Sequence, residues 1–240
     1  MLTFRFKVLF ALGMLTLACN VQAAPVSISV NPGSYSGSWS ILGNTGNLSG
    51  PASVTLQTDA TYNFVVGSSA TGKFQFSIDS AGNVNSINPD AATGGNGQLS
   101  LNNASITVDP DAYGGSYWIE GYNPNSPGQQ VFSLVTGLGY TLRVGNEGVG
   151  KFSFDVDANG SVSSNDPSAA TGGPGLLTFN NVSISVNPNN FTGSYWILGL
   201  NPGPRSQANR NPGSNSGSRR WLFAKNWQQS QRSVSFQHRQ

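Results

Sequence analysis

The chain is short of the side chains from which catalytic and metal centres are built. Its 240 residues contain one histidine, one cysteine and only 9% charged residues. The two residues, Cys19 and His238, lie near opposite ends of the sequence. Nucleophilic and acid–base catalysis normally need His, Cys or converging carboxylates, and zinc sites need His or Cys ligands. We therefore expect a protein that is not an enzyme and needs no cofactor.

The chain also lacks an apolar run long enough to span a membrane as a helix. The stretch Val8–Ala18 is too short, and two basic residues precede it. Small residues follow it, so residues 1–23 have the three regions of a secretory signal, cleaved near Ala23. Lipidation at Cys19 is the alternative. We expect a secreted or cell-surface protein without a transmembrane segment.

What the sequence does have is a motif that recurs every 78 residues. Val26-Ser-Ile-Ser-Val-Asn-Pro32 returns as residues 104–110 and 182–188, with few changes. A Gly-Ser-aromatic motif ending at Trp39, Tyr117 and Tyr195 keeps the same spacing. Repetition at a fixed period is typical of tandem modules.

The pattern of each repeat predicts about seven short strands with tight turns and no amphipathic helix. Val131–Val135 and Tyr140–Val144 predict one hairpin, and Phe152–Val156 with Ser161–Ser163 predicts a second across an Asn-Gly turn. An Asn-Asn pair precedes each new repeat, where the apolar alternation changes phase and a left-handed residue is expected. The fold class is all-β, as tandem immunoglobulin-like sandwiches. A β-solenoid has no shorter period to support it.

These patterns divide the chain into five segments. Residues 1–23 are the signal peptide, 24–103 the first β-module, 104–181 the second, 182–203 the start of a truncated third, and 204–240 a basic tail that we expect to be disordered. All ten acids lie within residues 24–200, against three basic residues, whereas residues 201–240 hold seven basic residues and no acid.

The tail is predicted to be translated out of frame. Read one base forward, the degenerate codons of residues 209–214 permit Thr-Val-Thr-Leu-Val, whose Val-Thr-Leu aligns with Val54-Thr-Leu56 at twice the repeat length. Two further segments permit matches to Tyr140–Asn146 and Phe152–Asp157, in order, after a slip of four residues. Because of this reading, the basic composition does not indicate nucleic acid as a partner. A genuine basic tail is the alternative.

Aromatic residues are the first candidate binding site. Tyr and Trp faces pack on sugar rings, and Tyr117-Trp118 and Tyr195-Trp196 recur in the repeat. Because neighbours on a strand point to opposite faces, one residue of each pair is expected in the core. Trp118 and Trp196 are the candidates for the exposed face.

The second candidate is a cation loop. Asp155, Asp157, Asn159 and Asp166 have spacings that resemble the calcium loop of EF-hand and dockerin proteins, in which closely spaced oxygens surround the ion. An ordinary Asn-Gly hairpin explains the same residues except the twin aspartates.

The sequence therefore predicts a non-enzymatic extracellular repeat protein that acts as a spacer or adhesive module. The first alternative is an array that binds carbohydrate through the Tyr-Trp positions, and the second is a linker made rigid by calcium. The expected partners are extracellular polysaccharide or other surface proteins.

Overall fold

A computed structural model describes residues 23–67, 72–122, 126–145, 150–186, 189–190 and 219–224. These residues form strands and turns, which confirms the all-β prediction. None of them belongs to a helix long and apolar enough to cross a membrane. Residues 1–22 of the predicted signal peptide, Tyr195, Trp196 and most of the tail lie outside the described residues.

Two groups of nine strands follow each other along the chain, where about seven strands were expected in each. The first group comprises β1 (Pro25–Asn31), β2 (Ser38–Ile41), β3 (Leu48–Ser49), β4 (Ala52–Gln57), β5 (Ala60–Val66), β6 (Gly72–Ile78), β7 (Val84–Ser86), β8 (Ala92–Gly95) and β9 (Gln98–Leu101). The second group comprises β10 (Asn103–Asp109), β11 (Ser116–Ile119), β12 (Ser126–Pro127), β13 (Gln130–Val135), β14 (Leu138–Val144), β15 (Gly150–Val156), β16 (Val162–Ser164), β17 (Ala170–Gly173) and β18 (Leu176–Phe179). Every strand of the second group begins and ends 78 positions after its counterpart.

Each group makes two sheets, and we call each pair of sheets a sandwich. In the first sandwich, four strands lie in the order β4-β1-β9-β8 and five in the order β3-β2-β5-β6-β7. The second sandwich has the orders β13-β10-β18-β17 and β12-β11-β14-β15-β16. All neighbours are antiparallel except β1 with β9 and β10 with β18, which are parallel. The immunoglobulin order instead groups the first, second, fourth and fifth strands in one sheet, so this strand order is a different one.

Alternation of apolar and polar residues places the core between the sheets. On β6, Phe74, Phe76 and Ile78 are buried while Lys73 and Gln75 are exposed. Period-two alternation of this kind gives a strand one buried face. The buried residues of both sandwiches form one continuous apolar cluster.

One of the two predicted hairpins is wrong. Strand β13 pairs with β10, and β14 pairs with β11 and β15, so Thr136-Gly137 carries the chain from one sheet to the other. Two alternating strands around a tight turn look the same in sequence whether they pair or cross over. The second hairpin is confirmed, because β15 pairs with β16.

The shift in apolar alternation before residues 104 and 182 is also produced by a different local structure from the one expected. Asn102 and Asn180 lie at these points, but neither has the positive φ that a left-handed residue would show. Their side-chain amides instead donate to the carbonyl oxygens of Pro89 (2.7 Å) and Pro167 (2.6 Å). These bonds hold the link between β9 and β10, and the link between β18 and β19, against the preceding turn.

Two more strands follow the second sandwich. They are β19 (Asn181–Val186) and β20 (Arg219–Ala224), and they pair antiparallel over six residues each. Strand β19 begins 78 positions after β10, and a segment of the basic tail pairs with it as β4 pairs with β1 and β13 pairs with β10. These six tail residues are therefore paired, although the tail was expected to be disordered throughout.

Candidate functional site

The structure separates the members of the first Tyr-Trp pair. Tyr117 is fully buried, and its hydroxyl donates to the carbonyl oxygen of Gly128 (2.7 Å). Its ring packs edge-on against Phe179 at 5.3 Å between centroids. Burial, and after it the nearby Asp109, raise the pKa of Tyr117 above its ordinary value. Tyr117 is therefore a core residue whose ring no ligand can reach.

Trp118 lies on the opposite, outer face of the five-stranded sheet and is half-buried. It stands beside Arg143 in the register of β11 and β14, and Arg143 stands beside Lys151 on β15. Arg143 forms an ion pair with Glu120 at 2.7 Å, with about a quarter of each side chain exposed. An indole next to a guanidinium–carboxylate pair combines a stacking surface with hydrogen-bonding groups, which suits a sugar ring.

The first sandwich has no equivalent surface. Ser40 stands in the place of Trp118 and Val65 in the place of Arg143, and both are buried, at 8% and 2% exposure. The candidate surface therefore belongs to the second sandwich, at one position among the described residues.

The predicted cation loop is a hairpin turn. Oδ1 of Asp157 accepts hydrogen bonds from the amides of Asn159 (2.9 Å) and Ser161 (2.7 Å). The amide of Gly160 donates to the carbonyl oxygen of Asp157 (3.0 Å), and Gly160 has a φ of 79°. Asp79 in the first sandwich accepts the same two amide bonds, from Ala81 and Asn83. Asp157 therefore has a structural role that needs no ion.

The other predicted ligands have separate surroundings. Oδ1 of Asp166 accepts from the hydroxyl of Ser168 (2.7 Å), in the turn before β17. Asp155 is exposed on β15, opposite Gly139. An open depression of about 310 Å³ lies here, lined by Asp155, Asp157 and neighbouring residues of β14 and β16. Among the described residues, no group of three or more His, Cys, Asp or Glu is arranged to hold a metal ion.

The contact between the two sandwiches is a feature that the sequence reasoning missed. The second sandwich contributes what we call its head surface, which consists of Gly121, Tyr122, Ser133 and Thr136–Leu138. The first sandwich contributes its tail surface, which consists of Pro32–Ser36, Gly67, Gly72 and Asn88–Asp90. Both surfaces are built mainly from turns at strand ends, so the sandwiches meet end to end.

Tyr122 is the main polar and aromatic contact of this junction. Its ring meets Tyr35 edge-on at 5.5 Å, and its hydroxyl is 2.9 Å from the hydroxyl of Ser36. The same hydroxyl donates to the carbonyl oxygen of Ser133 within the second sandwich (2.7 Å). Tyr122 is only 7% exposed. Burial, and after it Tyr122, raise the pKa of Tyr35 above its ordinary value.

Glycines let the two backbones approach each other closely. A Cβ on Gly67 would lie 3.3 Å from the Cα of Gly121, and a Cβ on Gly72 would lie 3.0 Å from a methyl carbon of Leu138. The hydroxyl of Thr136 donates to the carbonyl oxygen of Asp90 across the same contact. The spacing of these glycines in the repeat was the available signal, but only the packing shows what they contact.

Comparisons of the chain with protein families, curated proteins and solved structures find no match. A function for this chain is therefore inferred from its own geometry.

Proposed function

We propose that the protein is a secreted or cell-surface repeat protein without enzymatic activity, acting as a spacer or adhesive module. In this proposal it is a tandem array of 78-residue β-sandwich modules, of which residues 182–203 begin a third, truncated copy. Two observations support it: the strand bounds of the two groups differ by 78 throughout, and the sandwiches meet in a close, specific contact. A series of equal units adds a constant length per copy, which a spacer requires.

Cell fractionation with N-terminal sequencing tests where the protein works. We expect the protein outside the cytoplasm, with Ala24 as its first residue after cleavage of residues 1–23. A chain that stays in the cytoplasm with its N-terminal segment intact would contradict the proposal. Sequencing that instead begins at a lipidated Cys19 would place the protein at a membrane surface and keep the spacer function.

Carbohydrate binding is the second candidate, supported by the position of Trp118 beside the Arg143–Glu120 ion pair. A glycan array with the full chain tests it, with Trp118→Ala and Trp196→Ala as variants. Val131→Ala is the matched control, because Val131 is an apolar side chain 65% exposed on the other sheet. A signal lost in Trp118→Ala but kept in Val131→Ala supports this candidate, and no signal with the unmodified chain removes it.

A calcium-stiffened linker is the third candidate, with Asp155, Asp157, Asn159 and Asp166 as ligands. The hairpin bonds of Asp157 provide a simpler role for these residues, but the twin aspartates and the depression beside them favour a test. Titration calorimetry with calcium chloride should give a dissociation constant of about a millimolar or tighter if the loop binds as extracellular modules do. Asp155→Ser installs the residue of the first sandwich, Ser77, and should abolish the heat of binding.

A further inference from the structure

The head surface of the second sandwich has a counterpart in the first sandwich, 78 residues earlier, and the two differ in chemistry. Asn44 stands in the place of Tyr122, Asp59 in the place of Gly137, and Ala60 in the place of Leu138. Asn44 and Asp59 are exposed, whereas Tyr122 and Leu138 are 7% and 6% exposed in the junction. The repeat is therefore altered where a preceding sandwich would make contact.

Gly137 is the position at which space is most limited. A Cβ built on it would lie 2.5 Å from the Cβ of Asp90 and 3.1 Å from the carbonyl carbon of that residue. Carbon atoms do not approach to 2.5 Å, and the second contact is a tight one with backbone, so a side chain at this position forces the junction apart. Among the described residues of the tail surface, Asp90 is also the residue whose charge an added carboxylate would meet.

Asp59 has the backbone conformation of Gly137 together with the side chain that Gly137 cannot carry. Its φ is 56°, against 68° at Gly137, and Asp tolerates this region better than most residues. A sandwich fold of this type therefore accommodates Asp here, and what Asp prevents is the approach of another sandwich.

The remaining substitutions remove attraction. Leu138 packs on Gly72 of the tail surface, and Ala60 is too short to make that contact. Tyr122 contacts both Tyr35 and Ser36, whereas Asn44 has no ring to replace it. Terminal units of repeat arrays carry a polar outer face of this kind, because it keeps the array soluble.

We propose that the first sandwich is a capping unit. Its tail surface accepts a neighbouring sandwich of this repeat, and its head surface is closed to one by Asp59. The partner that fits a tail surface is a sandwich with glycine at the position of Gly137 and apolar residues at those of Tyr122 and Leu138. This inference rests on the proposed tandem arrangement of 78-residue modules.

The substitution Gly137→Asp in the full chain tests the proposal, since it gives the second sandwich the residue that closes the first. Small-angle X-ray scattering should show a larger radius of gyration, because the junction opens. Hydrogen exchange should show lost protection in the turns at 88–91 and 121–122. Far-UV circular dichroism should stay unchanged, because Asp59 shows that the sandwich tolerates Asp in this conformation.

Gly128→Asp is the matched control. Gly128 has a φ of 71° and no atom within 4 Å of a built Cβ, so the same change adds the same charge and backbone strain away from the junction. It should leave the radius of gyration unchanged. If Gly137→Asp does not fold, Gly137→Asn carries the test, since Asn tolerates positive φ equally well.

A folded Gly137 variant that keeps the compact scattering profile and the exchange protection overturns the capping proposal. That result does not bear on the spacer function, because the cellular location of the protein tests the spacer function separately. A protein that is retained in the cytoplasm but opens at the junction in Gly137→Asp would refute the spacer function and keep the cap.

Discussion

A buried aromatic ring occupies position 39 in the first sandwich and position 117 in the second. Trp39 stacks on Phe64 and donates its indole N–H to the carbonyl oxygen of Gly50 (3.0 Å). Tyr117 donates to the equivalent carbonyl oxygen, that of Gly128. The two side chains differ in size and chemistry, yet each donates to the equivalent backbone carbonyl, so this position keeps a hydrogen-bond donor as well as apolar surface.

We therefore predict that Tyr117→Phe lowers the free energy of unfolding by about 1 kcal/mol, because it removes the hydrogen bond that the hydroxyl of a fully buried side chain donates. Tyr62→Phe is the control. Tyr62 also loses a hydroxyl with two hydrogen bonds, to the backbone of Gln57, but in an exposed position where water can replace it. Urea unfolding measures both, and equal losses would show that the buried bond contributes nothing special.

Buried tyrosines also predict how stability depends on pH. Burial raises the pKa of Tyr113 to about 12, from an ordinary value of 10, and raises the pKa of Tyr140 as well. Between pH 10 and about pH 12 the folded chain binds more protons than the unfolded chain, so the free energy of unfolding falls as pH rises. Stability should be level up to about pH 9 and decline from pH 10 to 12. Urea unfolding across this pH range measures the decline in the free energy of unfolding. The decline should be shallower in the Tyr113→Phe variant.

Among the elements, the short Gly-rich strands β8 and β17 show how little of their packing is visible in sequence. The Ala-Thr-Gly-Gly motif looks like a turn, but it forms the edge strand of the four-stranded sheet. A Cβ on Gly172 would lie 2.0 Å from the carbonyl oxygen of Val162 on β16, whereas Gly173 has no neighbour within 4 Å. The two sheets of the sandwich therefore close on each other at Gly172.

We predict that Gly172→Ala lowers the free energy of unfolding by about 3 kcal/mol or more, because β16 and β17 must separate. Gly173→Ala should change stability by less than about 1 kcal/mol in either direction, since it has open space and no positive φ. Thermal or urea unfolding of the two variants measures the difference. A similar cost for both would mean that the close approach of the strands is not needed.

Alternation located the apolar strands, but not the Gly-rich strands β8 and β17, and it did not identify strand partners. The stretch Ser116–Ile119 coincides with β11, and the β15–β16 hairpin formed across its Asn-Gly turn. The pairing of β13 with β10 depends on residues more than twenty positions apart, which no local pattern specifies. In the same way, alternation predicted that one residue of Tyr117-Trp118 is buried, while the Arg143–Glu120 pair beside Trp118 appeared only with the pairing of β11 and β14.

At the scale of the whole molecule, the second sandwich is followed by a strand pair of mixed origin. Strand β19 begins 78 positions after β10, whereas β20 comes from the basic tail and its sequence does not resemble that of β4 or β13. We predict that the nucleotide sequence has a frame lesion near codon 204, and that restoring the frame yields residues aligned with the second module. Resequencing the gene checks this. An intact frame would make β20 a genuine part of the protein and the basic tail a functional element.

The parallel pairing of β1 with β9, and of β10 with β18, has a mechanical consequence. Because the first and last strands of a sandwich run side by side in one direction, the chain enters at one end and leaves at the other. A pull on the two ends then loads the hydrogen bonds between Ser29–Asn31 and Gln98–Ser100 in shear, so they must break together rather than one after another. Single-molecule pulling should therefore record high unfolding forces, with a separate rupture for each sandwich.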